Sequence, residues 1–165
     1  MYRRILVPVS HGAASEQGVL EGLRIARAAN ASLCFIHVTD ELDDGDGHAG
    51  FSGTIDEFLA LPGLATRRGA ALVEDARRQA EAAGLGCDAV LRLGGAGTTC
   101  ELILREARIW RAEVIVMGAT AVRGAGLRPG SVGARILHAS PVPVLAVSPP
   151  AGRGAARPMA PSSCA

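Results

Sequence analysis

Apolar residues in this chain fall into two textures that alternate from end to end. Short continuous runs come first: Arg4-Ile-Leu-Val-Pro-Val9, then Ser32-Leu-Cys-Phe-Ile-His-Val38, Glu113-Val-Ile-Val-Met117 and Pro143-Val-Leu-Ala-Val147. Such runs predict strands buried on both faces, as in parallel sheets. Cys87-Asp-Ala-Val-Leu-Arg-Leu93 reads as a fifth, more polar strand. Between them the spacing turns helical. Residues 15–29 carry Val19, Leu23, Ala26 and Asn30 on one stripe, with Ser15 as the expected N-cap. Residues 54–61 predict a short helix stopped by Pro62-Gly63, and residues 67–83 a longer one closed by Gly84. After the turn Gly94-Gly-Ala-Gly97, Thr98-Thr-Cys-Glu101 fits a capping box that opens a helix to about Trp110. Residues 131–138 predict a short helix before the last strand.

Alternating strands and helices imply right-handed crossovers and an α/β fold, a doubly wound five-stranded parallel sheet with helices on both faces. Ligands of such sheets bind beyond the carboxyl ends of the strands. The loops that matter therefore follow the strands.

Composition narrows the choice of function. The 165 residues suit one domain, read as 1–148, followed by a Pro-, Gly-, Ala- and Ser-rich tail at 149–165 expected to be disordered. The formal charge is +1, from 17 basic and 16 acidic side chains, which argues against a nucleic-acid partner. Aromatic residues make up 3%, too few for a base-stacking platform. No run is long enough to span a membrane, and the N-terminal run is too short for a signal-peptide core. Cys34, Cys87, Cys100 and Cys164 form no CxxC pair, so a cytoplasmic protein with reduced thiols is expected. The acidic, Gly-rich stretch 40–53 fits no calcium-loop register and reads as a solvated loop.

The loop after the fourth strand, Met117-Gly118 through Arg128-Pro-Gly-Ser-Val132, carries the strongest chemical signal. Glycine at the strand exit allows close backbone approach, and Gly130-Ser131 stands where a helix start presents N–H groups to an anion. Arg123 and Arg128 add positive charge. A GxxxxGK[ST] phosphate loop is excluded, since the lysine is missing. Spacing alone leaves the site and a plain glycine-rich turn on level terms. His11 reads as a solvated loop residue, His37 as a satisfied strand residue and His138 as helix packing. Cys100 reads as a small apolar group near a helix start rather than an activated thiolate. No Ser–His–acid or Cys–His set assembles, so no catalytic residue is assigned and no enzyme activity is expected.

Four segments together resemble the universal stress protein family: Ile5-Leu-Val-Pro-Val9, Phe35-Ile-His-Val38, Val114-Ile-Val-Met-Gly118 and, most specifically, Gly130-Ser-Val-Gly-Ala-Arg-Ile-Leu-His-Ala-Ser-Pro-Val-Pro-Val-Leu-Ala-Val147. The resemblance implies strand order 3-2-1-4-5 and a homodimer joined through Pro143–Val147. It also implies an adenine-nucleotide site, with ATP and Mg²⁺ on its phosphates, at Pro8, Val9, Ser10, Val38, Met117, Gly118, Gly130, Ser131 and Val132. A stress-response regulatory role follows, acting through ligand-dependent shape or protein partners. The sequence departs from the family pattern at two places. Ser10-His11-Gly12 stands where binding members have Asp-Gly-Ser, and Ala121 stands where they have a second glycine, in a loop one residue short. Ala121 would resist a positive φ. One lost buried hydrogen bond costs about 1–3 kcal/mol, or roughly 5- to 150-fold in affinity. The alternative is therefore a dimeric scaffold that has lost nucleotide binding and works through protein partners.

Overall fold

The computed structural model describes residues 2–40, 55–94, 97–119, 121–122 and 126–149. Of the stretch expected as an acidic loop, Asp40 belongs to a strand and residues 41–53 lie outside the described ones, as does most of the expected tail. In chain order the elements are β1 (Arg4–Pro8), α1 (Ala13–Ala29), β2 (Ser32–Asp40), α2 (Ile55–Ala82), β3 (Cys87–Gly94) and α3 (Thr99–Ile109). They continue with β4 (Val114–Gly118), β5 (Ala121–Val122), β6 (Gly126–Leu127), α4 (Val132–Ala139) and β7 (Val144–Val147). Five strands form one all-parallel sheet in the order β3-β2-β1-β4-β7, which is 3-2-1-4-5 when the short strands are left out.

The continuous apolar runs are explained by the pleat. Ile5, Val7 and Val9 of the first strand join Leu33, Phe35, Val114 and Val116 in a cluster capped by α1 and α2. Their neighbours Leu6, Cys34, Ile36, Ile115 and Met117 point the other way, into a cluster capped by α3 and α4. Alternate side chains face opposite sides of a strand, so a strand covered twice must be apolar at every position. β3 lies at one edge and is more polar accordingly: Asp88, Ala89, Arg92 and Leu93 are exposed.

Local expectations failed at three places. Pro62-Gly63 does not end a helix; α2 runs through it from residue 55 to residue 82. A proline forfeits one hydrogen bond and crowds the preceding turn, yet its own φ is helical, so a long helix anchored downstream by Val73, Ala76 and Ala80 can absorb it. Ser15 does not cap α1. The helix starts two residues earlier, after Gly12 at φ 102, and Ser15 is buried with its Oγ accepting from the Ser10 N–H at 2.8 Å. Glycine allows that left-handed turn, which moves the helix start upstream of the serine. Thr98 precedes α3, but its φ of −87 and ψ of −10 are helical and its side chain makes no cap bond. Capping needs an extended backbone at that residue.

One contact sets the position of α1 over the sheet. A Cβ built on Gly18 would lie 2.4 Å from the Gly118 nitrogen, and one on Gly118 would collide with the Ala14 carbonyl. Helix and strand exit touch backbone to backbone, leaving no room for any side chain. On the opposite face, a charge is buried: Glu106 is 4% exposed and accepts from Arg92 Nε at 3.0 Å and Nη2 at 2.7 Å. Gly18→Ala is expected to destabilise the protein by about 1–3 kcal/mol, since overpacking against backbone cannot be relieved by a rotamer change. Helix propensity alone would make the same change favourable by up to about 1 kcal/mol. Urea denaturation decides the sign: a wild-type or raised midpoint for Gly18→Ala would refute the close contact.

Candidate functional site

Beyond the carboxyl ends of β1, β2 and β4 lies a cleft of about 1050 Å³. Its floor is the first strand's exit. There the Val9 N–H donates to Ile36 O at 2.8 Å, and His37 Nδ1 lies 2.8 Å from Val9 O. A carbonyl can only accept, so His37 Nδ1 carries the proton and donates. This ties the β1 exit to β2, in keeping with a structural role for His37. Ser10, next along, gives its N–H to Ser15 and presents its side chain to the solvent side.

The second wall is the exit of β4. Ala119 N–H donates to Val147 O at 2.8 Å, continuing the pairing of β4 with β7 past Gly118. The chain then forms a small antiparallel ribbon, Ala121 opposite Leu127 and Val122 opposite Gly126. Ala121 is thus extended, and the positive φ that would have called for a second glycine does not arise there. Arg123 lies outside the described residues.

The third wall is the start of α4. Gly130 takes φ 77, turning the chain into the helix. Ser131 is the N-cap: its φ of −65 and ψ of 155 are extended, and its Oγ accepts from the Ala134 N–H at 3.2 Å. The first-turn N–H groups of an α-helix have no intrahelical acceptor. Ala134 is satisfied by the cap and Arg135 by Ser131 O. Val132 and Gly133, both lining the cleft, keep their N–H groups available for an anion.

Of the nine residues singled out in the sequence, Pro8, Val9, Ser10, Val38, Met117, Gly118, Ser131 and Val132 line this one cleft. Gly130 does not; it shapes the turn that aims α4. Gly118 lines the cleft, yet its lack of a side chain is already demanded by the packing of α1. The residues missed come from the far side. Gly97 and Thr99, where β3 passes into α3, also line the cleft, and so does Arg135 of α4, whose Nη1 donates to Gly97 O at 3.0 Å. The glycine turn at 94–97 was the available signal, since it too follows a strand. Arg128 lies on the cleft, His11 is exposed at its edge, and His138 is exposed on α4 rather than packed. Ile136 is the buried position of α4, so a residue two places on faces away from it.

The family model of the universal stress proteins matches residues 1–148. The chain belongs to the universal stress protein family. A search of curated proteins finds no match. Among solved structures, a universal stress protein family member from Burkholderia pseudomallei is 23% identical over 88% of this chain and 96% of its own, with a TM-score of 0.67. A family member from Arabidopsis thaliana, solved with AMP bound, is 18% identical over 88% of this chain and 91% of its own, with a TM-score of 0.63. The Archaeoglobus fulgidus universal stress protein in complex with dAMP is 19% identical over 88% and 97%, with a TM-score of 0.53. These likenesses establish the shared fold. No helix among the described residues is long and apolar enough to cross a membrane.

Among the described residues the thiols are held in their neutral form. Cys100 is buried at the start of α3, and burial pushes its thiol up despite the opposing charge of Arg135. Cys34, fully buried in β2, is pushed up to about 12 by burial, with Glu106 and Asp88 adding to it. A raised folded-state value favours the neutral thiol in the native protein. Its contribution is complete below pH 9 and is lost as pH rises from 9 towards about 12. Cys34→Ala is therefore expected to lose less stability than wild type over that range. Parallel pH profiles of the urea midpoint for the two proteins would contradict this.

Proposed function

We propose that this protein binds an adenine nucleotide weakly in the cleft between β1, β2, β4 and α4 and acts as a cytoplasmic stress-response regulator. The observation that carries the reading is the convergence of the β4 exit and the open first turn of α4 on a cleft large enough for a nucleotide. AMP and dAMP bound to structural relatives make an adenine nucleotide the natural class of ligand. Apolar Val9, Val38 and Met117 would receive the base, while Ser131, Val132 and Gly133 would hold phosphate. Each helix-end interaction contributes about 0.3–1 kcal/mol when exposed, so several are needed together. The Asp-to-Ser change at position 10 lowers the expected affinity into the roughly micromolar-to-millimolar range, about −8 to −4 kcal/mol. ATP is the ligand to try first.

Magnesium is held by carboxylates together with substrate phosphates. A Mg²⁺ ion in this cleft would be held through the nucleotide's phosphates, with no carboxylate from the described lining residues. No side chain there is placed as an evident base, so hydrolysis is proposed to be feeble, and the bound nucleotide acts by shifting conformation or partner affinity.

A homodimer through β7 is part of the proposal. β7 pairs with β4 on one side only, and Leu145 on it and Leu137 on α4 are 40% and 44% exposed. An open apolar edge is a pairing template. Sedimentation at the monomer mass would remove this part. The second reading, a scaffold without a ligand, is favoured by Ser10 alone.

Calorimetric titration of nucleotide-free protein with ATP tests the main reading. Heat at submillimolar ATP is expected; none at millimolar ATP, with no thermal shift, refutes it. Val132→Pro then locates the phosphates. Proline is tolerated at the first helical position and the extended Ser131 backbone accepts a following proline, so the fold is kept while one N–H is removed. Binding should weaken by about two- to fivefold. Unchanged affinity in a folded Val132→Pro protein places the phosphate elsewhere.

A further inference from the structure

A second, smaller groove, of about 380 Å³, lies between α1 and α2. Each side is one helical stripe. Glu16, Val19 and Leu20 stand three or four positions apart on α1, as do Leu72, Asp75 and Gln79 on α2. The floor is apolar and buried, with Val9 7% and Val19 5% exposed. The rim is open: Glu16, Asp75 and Gln79 are exposed, and Leu20 stands beside Glu16 at 51%.

The charge of the rim has one sign. Its two charged side chains are carboxylates, one from each helix, His11 is the remaining titratable group, and no Lys or Arg lines the groove among the described residues. The Glu16 carboxylate has no hydrogen-bond or ion-pair partner among them. Asp75 accepts from Arg78 Nη2 at 3.1 Å and from Gln79 Nε2 at 3.0 Å, but both ends of the ion pair are exposed, and such pairs hold weakly. Residues 41–66, which follow β2, contain six carboxylates and no Lys or Arg, so they supply no cation to the groove.

We propose that this groove docks an arginine-bearing segment of a partner protein. An anionic partner would meet Glu16 and Asp75. A bare cation would satisfy them and leave Leu20 uncovered. An arginine side chain does both tasks, since its methylene stem lies along Leu20 and Leu72 while its planar fork of donors reaches the carboxylates. The volume lies at the small end of the roughly 300–1,000 Å³ of ligand pockets, which suits side chains rather than a whole nucleotide. Glu16 and Asp75 do not line the larger cleft, so this docking stands apart from nucleotide binding.

The test is calorimetric titration of the full chain with a capped hexapeptide of alternating leucine and arginine, beside the same peptide with glutamine in place of arginine. The arginine peptide should bind at millimolar concentration or below, and more weakly in added salt. The glutamine peptide should not bind. Glu16→Gln and Asp75→Asn should each weaken binding by about two- to fivefold. Leu20→Ala, which leaves the charge unchanged, should weaken it by about threefold or more. Circular dichroism melts confirm that these three exposed substitutions leave the fold intact. No binding of the arginine peptide overturns the proposal, and so does equal binding of both peptides. Full affinity in all three folded variants also overturns it and assigns the peptide to the carboxylates of residues 41–57. Binding that appears only in a chain carrying both Arg153→Gln and Arg157→Gln shows the chain's own tail in the groove and overturns an external partner. A concentration-dependent rise in mass that Glu16→Gln abolishes makes the occupant a second copy, with the same consequence.

Discussion

The backbone contact between Gly18 of α1 and Gly118 at the exit of β4 is the constraint on which the cleft depends. It brings the first turns of α1 down onto the strand ends, with no side chain between them. From there the rest follows in order. Gly12 turns the chain out of β1, Ser15 reaches back to hold the Ser10 N–H, and His37 holds Val9 O from the neighbouring strand. The β1 exit is thereby fixed beside the β4 exit, and the space left over them is closed by α4. Gly118 belongs to the family's nucleotide pattern, yet this packing requires it even without a ligand. Its presence is thus evidence for the scaffold, and the ligand argument rests on the first turn of α4 instead.

Much of the fold was legible because burial on both faces leaves a plain signature. Runs such as Ile5–Val9 and Val114–Met117 are apolar at every position, and their residues divide between two core clusters. Periodicity alone did not order the strands; the order came from resemblance to a family. The local errors share a cause, in that tertiary packing overrode short-range rules. Pro62 sits inside a helix, Ser15 is recruited to the β1–α1 loop, and Thr98 has a helical backbone where a cap was expected. The cap that does act at the site is simpler, a single serine at position 131.

The candidate site was legible where its residues follow strands in sequence, and invisible where it is assembled across elements. Met117, Gly118 and Ser131 were reached by asking which loops leave the carboxyl ends of the sheet, and Pro8 to Ser10 through the family resemblance. Arg135 was not, since its role depends on a bond to Gly97, 38 residues away. Ala121 was misjudged for a related reason. Its conformation is set by the partner strand of the β5–β6 ribbon, and that pairing is extended. The departures from the family pattern therefore differ in weight. Ala121 is accommodated by the backbone, whereas Ser10 removes a carboxylate from a cleft whose charged lining side chains, among the described residues, are Arg128 and Arg135.

The central claim is that the open main-chain N–H groups at the α4 start face the cleft over the β1 and β4 exits and hold an anion there. Amide chemical-shift mapping during an AMP titration tests it most directly. The account predicts shifts concentrated at Ser10, Gly118, Ala119, Val132 and Gly133. Shifts confined to the α1–α2 face, or scattered without a focus at saturating AMP, would contradict it.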